Sequence, residues 1–134
     1  MKAIAAIALS LASLASQAGT PQQITQTYLA EAVNQQPAFT ASATRGEAFF
    51  RQRFAINDKM PACASCHTDD PRQAGQHAVT GKSIRPLATV ANGDRFTDPA
   101  KVEKWFGRNC KEVVGRLCTP AEKADFITFL SEVR

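Results

Sequence analysis

Cys63-Ala64-Ser65-Cys66-His67 has the form C-x-x-C-H, and the reading of these five residues decides how the rest of the chain must be built. Two thiols three positions apart can add across the two vinyl groups of a haem as thioethers, and a histidine immediately after them is then held under the iron as an axial ligand. A bare C-x-x-C is also the form of a redox dithiol or of half a zinc site. The adjacent His67 argues against the dithiol, and no second Cys/His pair completes a zinc knuckle. The motif occurs once, so one covalent haem is expected, held by Cys63 and Cys66 with His67 as its first axial ligand.

At 134 residues the chain is expected to form one domain. Met1 to Ala18 reads as a secretory signal: Lys2 is the positive start, Ala3 to Ala15 is the apolar run, and Ser16-Gln17-Ala18 offers small residues for cleavage. The division is therefore a signal peptide over residues 1–18 and a haem domain over 19–134. The run is too short and too rich in alanine to span a bilayer, so the mature chain is expected to be periplasmic without a membrane anchor. The whole chain carries 16 basic and 12 acidic residues; without Lys2 the balance is 15 against 12, or +3. No basic cluster with interleaved aromatics suggests nucleic acid.

The leftover cysteines, Cys110 and Cys118, are expected to pair as a disulfide in an oxidising compartment. The alternative is two free thiols, one of them reaching iron.

Helix starts punctuate the chain. Thr20-Pro21-Gln22-Gln23 combines an N-cap, a proline at the first position and a glutamine at the third. The helix it opens is predicted to run to about Gln35, with Ile24, Tyr28, Leu29 and Val33 as its apolar stripe. Thr44-Arg45-Gly46-Glu47 reads as a second capping box, opening a helix through about Phe54. Gly46, one turn before Phe50, suggests that another helix crosses closely there. Residues 57–93 read as mostly loop, with no strand alternation of useful length and a haem supplying the core that the loop wraps. Asp98-Pro99 opens a helix with Val102, Trp105, Phe106 and Asn109 at i, i+3, i+4 and i+7. Thr119-Pro120-Ala121-Glu122 opens the last, with Phe126, Phe129, Leu130 and Val133 inward and Lys123, Asp125 and Glu132 toward water. The fold class is all-α: a small cytochrome c-like domain wrapping one haem, with an extra N-terminal helix.

The ligand opposite His67 sets the function. An electron carrier usually supplies a methionine from well downstream, and the chain has none after Met60. His77 is the only other histidine; it is either a permanent sixth ligand or an exposed loop imidazole. Lys104 and Lys111 fall away from the apolar stripe, and Tyr28 faces its own helix's core. Asn109 shares a face with large apolar residues. It either bonds to nearby backbone or offers iron a hard, neutral amide oxygen, which suits ferric better than ferrous iron.

The quoted motif, together with Thr80-Gly81-Lys82, Pro86-Leu87, Arg95-Phe96-Thr97-Asp98, Lys101 through Cys110, Gly115-Arg116, Cys118-Thr119-Pro120 and Glu122 through Asp125, resembles the SHP-type (sphaeroides haem protein) oxygen-binding cytochromes c and their sister group, cytochrome c″. In that family the residue before the first disulfide cysteine is the distal ligand, Asn in SHP-type members and His in cytochrome c″. The resemblance thus implies Asn109 as the ligand, released on reduction so that O2 or NO binds, and a Cys110–Cys118 disulfide. It also implies a dihaem cytochrome c or a membrane b-type cytochrome as electron donor. A simple carrier using His77, or an enzyme of the nitric oxide dioxygenase or peroxidase type, are the rival readings. By analogy with cytochromes c, the Pro86 carbonyl is expected to accept the second ring N–H of His67. Trp105 is expected to pack beside the distal pocket. Arg85, Arg95 and Lys82 are candidate partners for the haem propionates.

Overall fold

The computed structural model describes residues 19–134, so the signal segment assigned to residues 1–18 lies outside the described residues. Helix α1, Pro21–Gln35, begins with the expected capping box: the Thr20 hydroxyl accepts from the Gln23 N–H, and the Gln23 side chain accepts from the Thr20 N–H. Its buried face is Ile24, Tyr28 and Ala32, spaced i, i+4, i+8. Ala32 replaces the expected Leu29 and Val33, which are only half-buried, because its small side chain lets α1 lie close against the C-terminal helix.

Helix α2, Ala43–Arg51, differs from expectation at both ends. Its N-cap is Ser42, not Thr44: the Ser42 hydroxyl accepts from the Arg45 N–H at 3.3 Å, while the Ser42 N–H donates to the Asp125 carboxylate at 2.7 Å. The helix stops at Arg51 because the chain turns back, and the Phe54 N–H is taken by the Pro61 carbonyl at 2.6 Å. The last helix, α5, Pro120–Glu132, has the predicted Thr119–Glu122 capping box.

Helices α2 and α5 cross at Gly46. A Cβ there would collide with the Asp125 carbonyl group and come to 2.8 Å from Phe129 Cβ. Close crossing brings Phe50 to 6.2 Å from Phe126 and 5.7 Å from Phe129 between ring centres. Phe50, Ile127 and Leu130 are fully buried at this seam.

Asp125 and Lys123 do not face water as expected. Asp125 is buried, gripped by Arg45 Nε at 2.8 Å and Nη2 at 2.9 Å. Lys123 sets its ammonium over the Tyr28 and Phe106 rings and pairs with Glu103 at 2.8 Å. Each charge is tolerated because a partner from another element reaches it, which a pattern within one helix cannot show.

The stretch from 57 to 93 is mostly loop, as expected, with three short elements in it. One helical turn, α3, spans Ala64–His67, and strands β1 (Gly75–Gln76) and β2 (Ser83–Ile84) pair antiparallel with Gly75 opposite Ile84. Helix α4, Pro99–Asn109, is capped by Asp98, whose carboxylate accepts from the Lys101 N–H at 3.0 Å. It runs directly into a π-helical turn, Cys110–Val114, closed by Gly115 at φ +79° with its N–H on the Cys110 carbonyl. The protein is all-α apart from the two-residue ribbon. No described helix is long and apolar enough to cross a membrane.

Candidate haem site

The five-residue motif folds as a single turn in which the Cys66 and His67 N–H groups both donate to the Cys63 carbonyl, at 3.3 and 3.2 Å. Positions i, i+3 and i+4 of such a turn share a face, so the two sulfurs and the imidazole emerge together. Ser65 closes the turn, its hydroxyl accepting from the Ala62 N–H at 3.2 Å. Cys63 and Cys66 are free thiols, whereas Cys110 and Cys118 form a disulfide with Cα atoms 5.6 Å apart.

Burial holds the Cys63 thiol up at about 12. Burial, and secondarily the Arg95 charge, bring His67 down to about 4. His67 is therefore a neutral imidazole at physiological pH, the form that ligates a metal.

The β1–β2 ribbon is built onto this turn. The Ala78 N–H donates to Cys66 Sγ at 3.3 Å. Any side chain at Gly75 would strike the Cys66 carbonyl and approach His67 Cα to 3.1 Å. Gly75 was legible only as a turn residue; its close approach to the attachment turn depends on pairing that no local pattern announces.

His77 lies on this ribbon. Its Nδ1 accepts from the Val79 and Thr80 N–H groups at 3.2 and 3.3 Å, so the ring serves as a turn cap beside Cys66. Met60 is buried in the core. The Tyr28 hydroxyl donates to Glu103 at 2.8 Å, and burial with that carboxylate holds its pKa above the usual phenol range.

The expected bond from His67 to the Pro86 carbonyl is not formed. That carbonyl accepts instead from Asn92 Nδ2 at 3.1 Å and Arg95 Nε at 2.9 Å, which fills both lone pairs. Asn92, read from the sequence only as turn chemistry, is buried and locks this loop by also accepting from Arg85 at 2.8 Å.

On α4, Val102 and Phe106 turn into the core, while Trp105 is 45% exposed and Asn109 is exposed. Lys104 and Arg108 each lie 5.8 Å from the Trp105 ring centre. The Asn109 side chain has no hydrogen-bond partner among the described residues, so the alternative of an amide bonded to nearby backbone is not what the fold provides.

These residues fit a haem. Free thiols and a neutral imidazole share one face, and Val79 and Trp105 leave apolar surface open on the ribbon and on α4. Among the described residues no three His, Cys, Asp or Glu converge to hold a bare metal ion, as a zinc site would require.

The family model described as a domain of unknown function, DUF1924, matches residues 36–130. The cytochrome c-type protein SHP of Cereibacter sphaeroides is 51% identical over 92 residues, 68% of this chain and 70% of that protein. Cytochrome c″ of Methylophilus methylotrophus is 48% identical over 90 residues, 66% of this chain and 62% of that protein. The solved structure of oxidised SHP, described as an oxygen-binding cytochrome c, superposes with a TM-score of 0.77 at 45% identity, covering 85% of this chain and 97% of that one. The solution structure of cytochrome c″, described in terms of haem-ligand detachment, gives 0.72 at 40% identity over 85% and 94%. A C-x-x-C-H turn on a helical core with this likeness leaves one assignment: the chain belongs to the DUF1924 family, that of SHP and cytochrome c″, and is a cytochrome c.

Proposed function

We propose that this chain is a gas-binding cytochrome c whose Asn109 amide occupies the sixth position of oxidised iron and withdraws on reduction, leaving that position to O2 or NO. A haem attached at Cys63 and Cys66 supplies a redox-active iron. His67 would hold it as a neutral imidazole, and Asn109 would offer it an amide oxygen from the end of α4. An amide oxygen is hard and neutral, so its hold weakens when the iron becomes ferrous and favours softer partners.

The observation that carries the reading is the exposed, unpartnered Asn109 side chain immediately before the Cys110–Cys118 disulfide. The description of SHP as oxygen-binding and of cytochrome c″ in terms of ligand detachment supports it. The engagement of His77 Nδ1 by two backbone N–H groups weighs against the carrier alternative. The same reading places the protein in the periplasm, where a disulfide persists, with a dihaem cytochrome c or a membrane b-type cytochrome as electron donor.

The test is the optical spectrum of the reduced protein with and without CO, on the natural sequence and on Asn109→Ala. The expected result is a five-coordinate ferrous form that takes up CO, and a ferric spectrum that changes on Asn109→Ala. A six-coordinate, low-spin ferrous form without added gas would sink the proposal.

A further inference from the structure

Arg95 is the one candidate propionate partner whose guanidinium is half-buried and unmatched. Its Nε donates to the Pro86 carbonyl at 2.9 Å and its Nη2 to the Arg85 carbonyl at 2.7 Å. No carboxylate lies within ion-pair distance of it among the described residues. Arg85, by contrast, is exposed and already paired with Asp94 at 3.1 Å. Lys82 is exposed on the ribbon, where a flexible stem gives no fixed geometry.

The backbone supports the placement. Phe96, the next residue, is buried in the left-handed region at φ +57°, a conformation unfavourable for a bulky side chain. Its ring is held in the core, which anchors the chain immediately after Arg95. The Arg85 and Pro86 carbonyls that seat it follow directly on β2, a strand of the ribbon built onto the motif turn. A partly desolvated guanidinium with donors to spare and a rigid seat is a carboxylate site in want of its carboxylate.

We infer that Arg95 binds a propionate of the haem and, by neutralising it, holds up the reduction potential of the iron. This rests on the haem reading of Cys63, Cys66 and His67, and Asn109 has no part in it. The guanidinium fork meets the propionate while the two carbonyls keep it from swinging out to solvent. An unneutralised propionate would favour the extra positive charge of ferric iron.

The experiment compares potentiometric titrations and resonance Raman spectra of the purified haem-loaded protein with those of Arg95→Gln and Arg95→Lys. Arg95→Gln should shift the ferrous/ferric equilibrium toward ferric about tenfold, which is about 59 mV for one electron. Arg95→Lys, which keeps the charge and loses the fork, should shift it less than threefold while moving the propionate-bending bands. A Gln variant within twofold of the natural protein overturns the inference. So does a Lys variant that falls as far as Gln, since the residue would then only tie the Arg85–Pro86 loop. If Arg95→Gln does not mature, Arg95→Lys decides: displaced propionate bands support the inference, and unchanged bands refute it. A ferric spectrum without haem ligation by His67 would mark failure of the underlying haem reading instead.

Discussion

Replacing Gly46 with alanine tests whether the α2–α5 crossing sets the stability of this domain. In an ordinary helix the change stabilises by about 1 kcal/mol, because glycine is the weaker helix former. Here the added Cβ would meet the Asp125 carbonyl group, with the carbonyl carbon at 2.6 Å, and Phe129 Cβ at 2.8 Å. Those atoms belong to the backbone and the Cβ of α5, so no rotamer change relieves the collision. The helices must separate by several tenths of an ångström or more, and the Phe50, Phe126 and Phe129 rings lose contact. Overpacking of this kind costs about 1–3 kcal/mol, and more when backbone must move. We place it at the upper end, so that after the propensity gain the variant is destabilised by about 2 kcal/mol. For a domain of this size that lowers the melting temperature by roughly 6–12 °C. Gly107 is the matched control: it sits in α4, and a Cβ there meets nothing within 4 Å. Gly107→Ala should gain up to about 1 kcal/mol. The assay is denaturant unfolding of the ferric protein followed by far-ultraviolet circular dichroism. Both alanines moving stability in the same upward direction would refute the close-crossing argument.

Asp125→Asn removes a carboxylate that holds two Arg45 nitrogens and the Ser42 N–H. Breaking a fully buried pair costs about 3–5 kcal/mol, but Arg45 is 53% exposed, so we expect about 2 kcal/mol after screening, read by the same unfolding assay. A loss below about 0.5 kcal/mol would show that the contact is only a surface ion pair. His77→Ala should leave the ferric absorption spectrum unchanged, because the imidazole caps the ribbon turn; a changed Soret band would return His77 to consideration as an iron ligand.

What could be read in advance follows the range of the interaction that decides each feature. The caps of α1 and α5 are legible because the hydroxyl, the N–H it accepts from and the returning side chain lie within four residues. The cap of α2 is not. Thr44 and Ser42 are both competent by type, and the choice falls to Ser42 because a carboxylate 83 residues away binds its N–H. Asp125 reads as exposed on any helical wheel for the same reason, its partner Arg45 being 80 residues distant. The β1–β2 ribbon escapes because two residues per strand are too few for alternation to register. At the site, the thiols and His67 are carried by spacing alone. The Pro86 expectation fails because Asn92 and Arg95, later in the chain, claim both lone pairs of its carbonyl.

These ranges also bear on how Asn109 could let go of iron. Behind it, α4 is pinned by Val102 and Phe106 in the core. Ahead of it, Cys110 is buried and bound to Cys118, and Val113 and Val114 of the π turn are buried as well. A π turn is a wide turn of the kind found at functional positions. Here it lets the chain leave the helix axis toward Cys118 without unwinding the residues before it. The Asn109 backbone is therefore fixed on both sides by packing. Withdrawal of the amide in the proposed function must come from rotation about the side-chain bonds of Asn109, a motion of the pico- to nanosecond class for exposed residues.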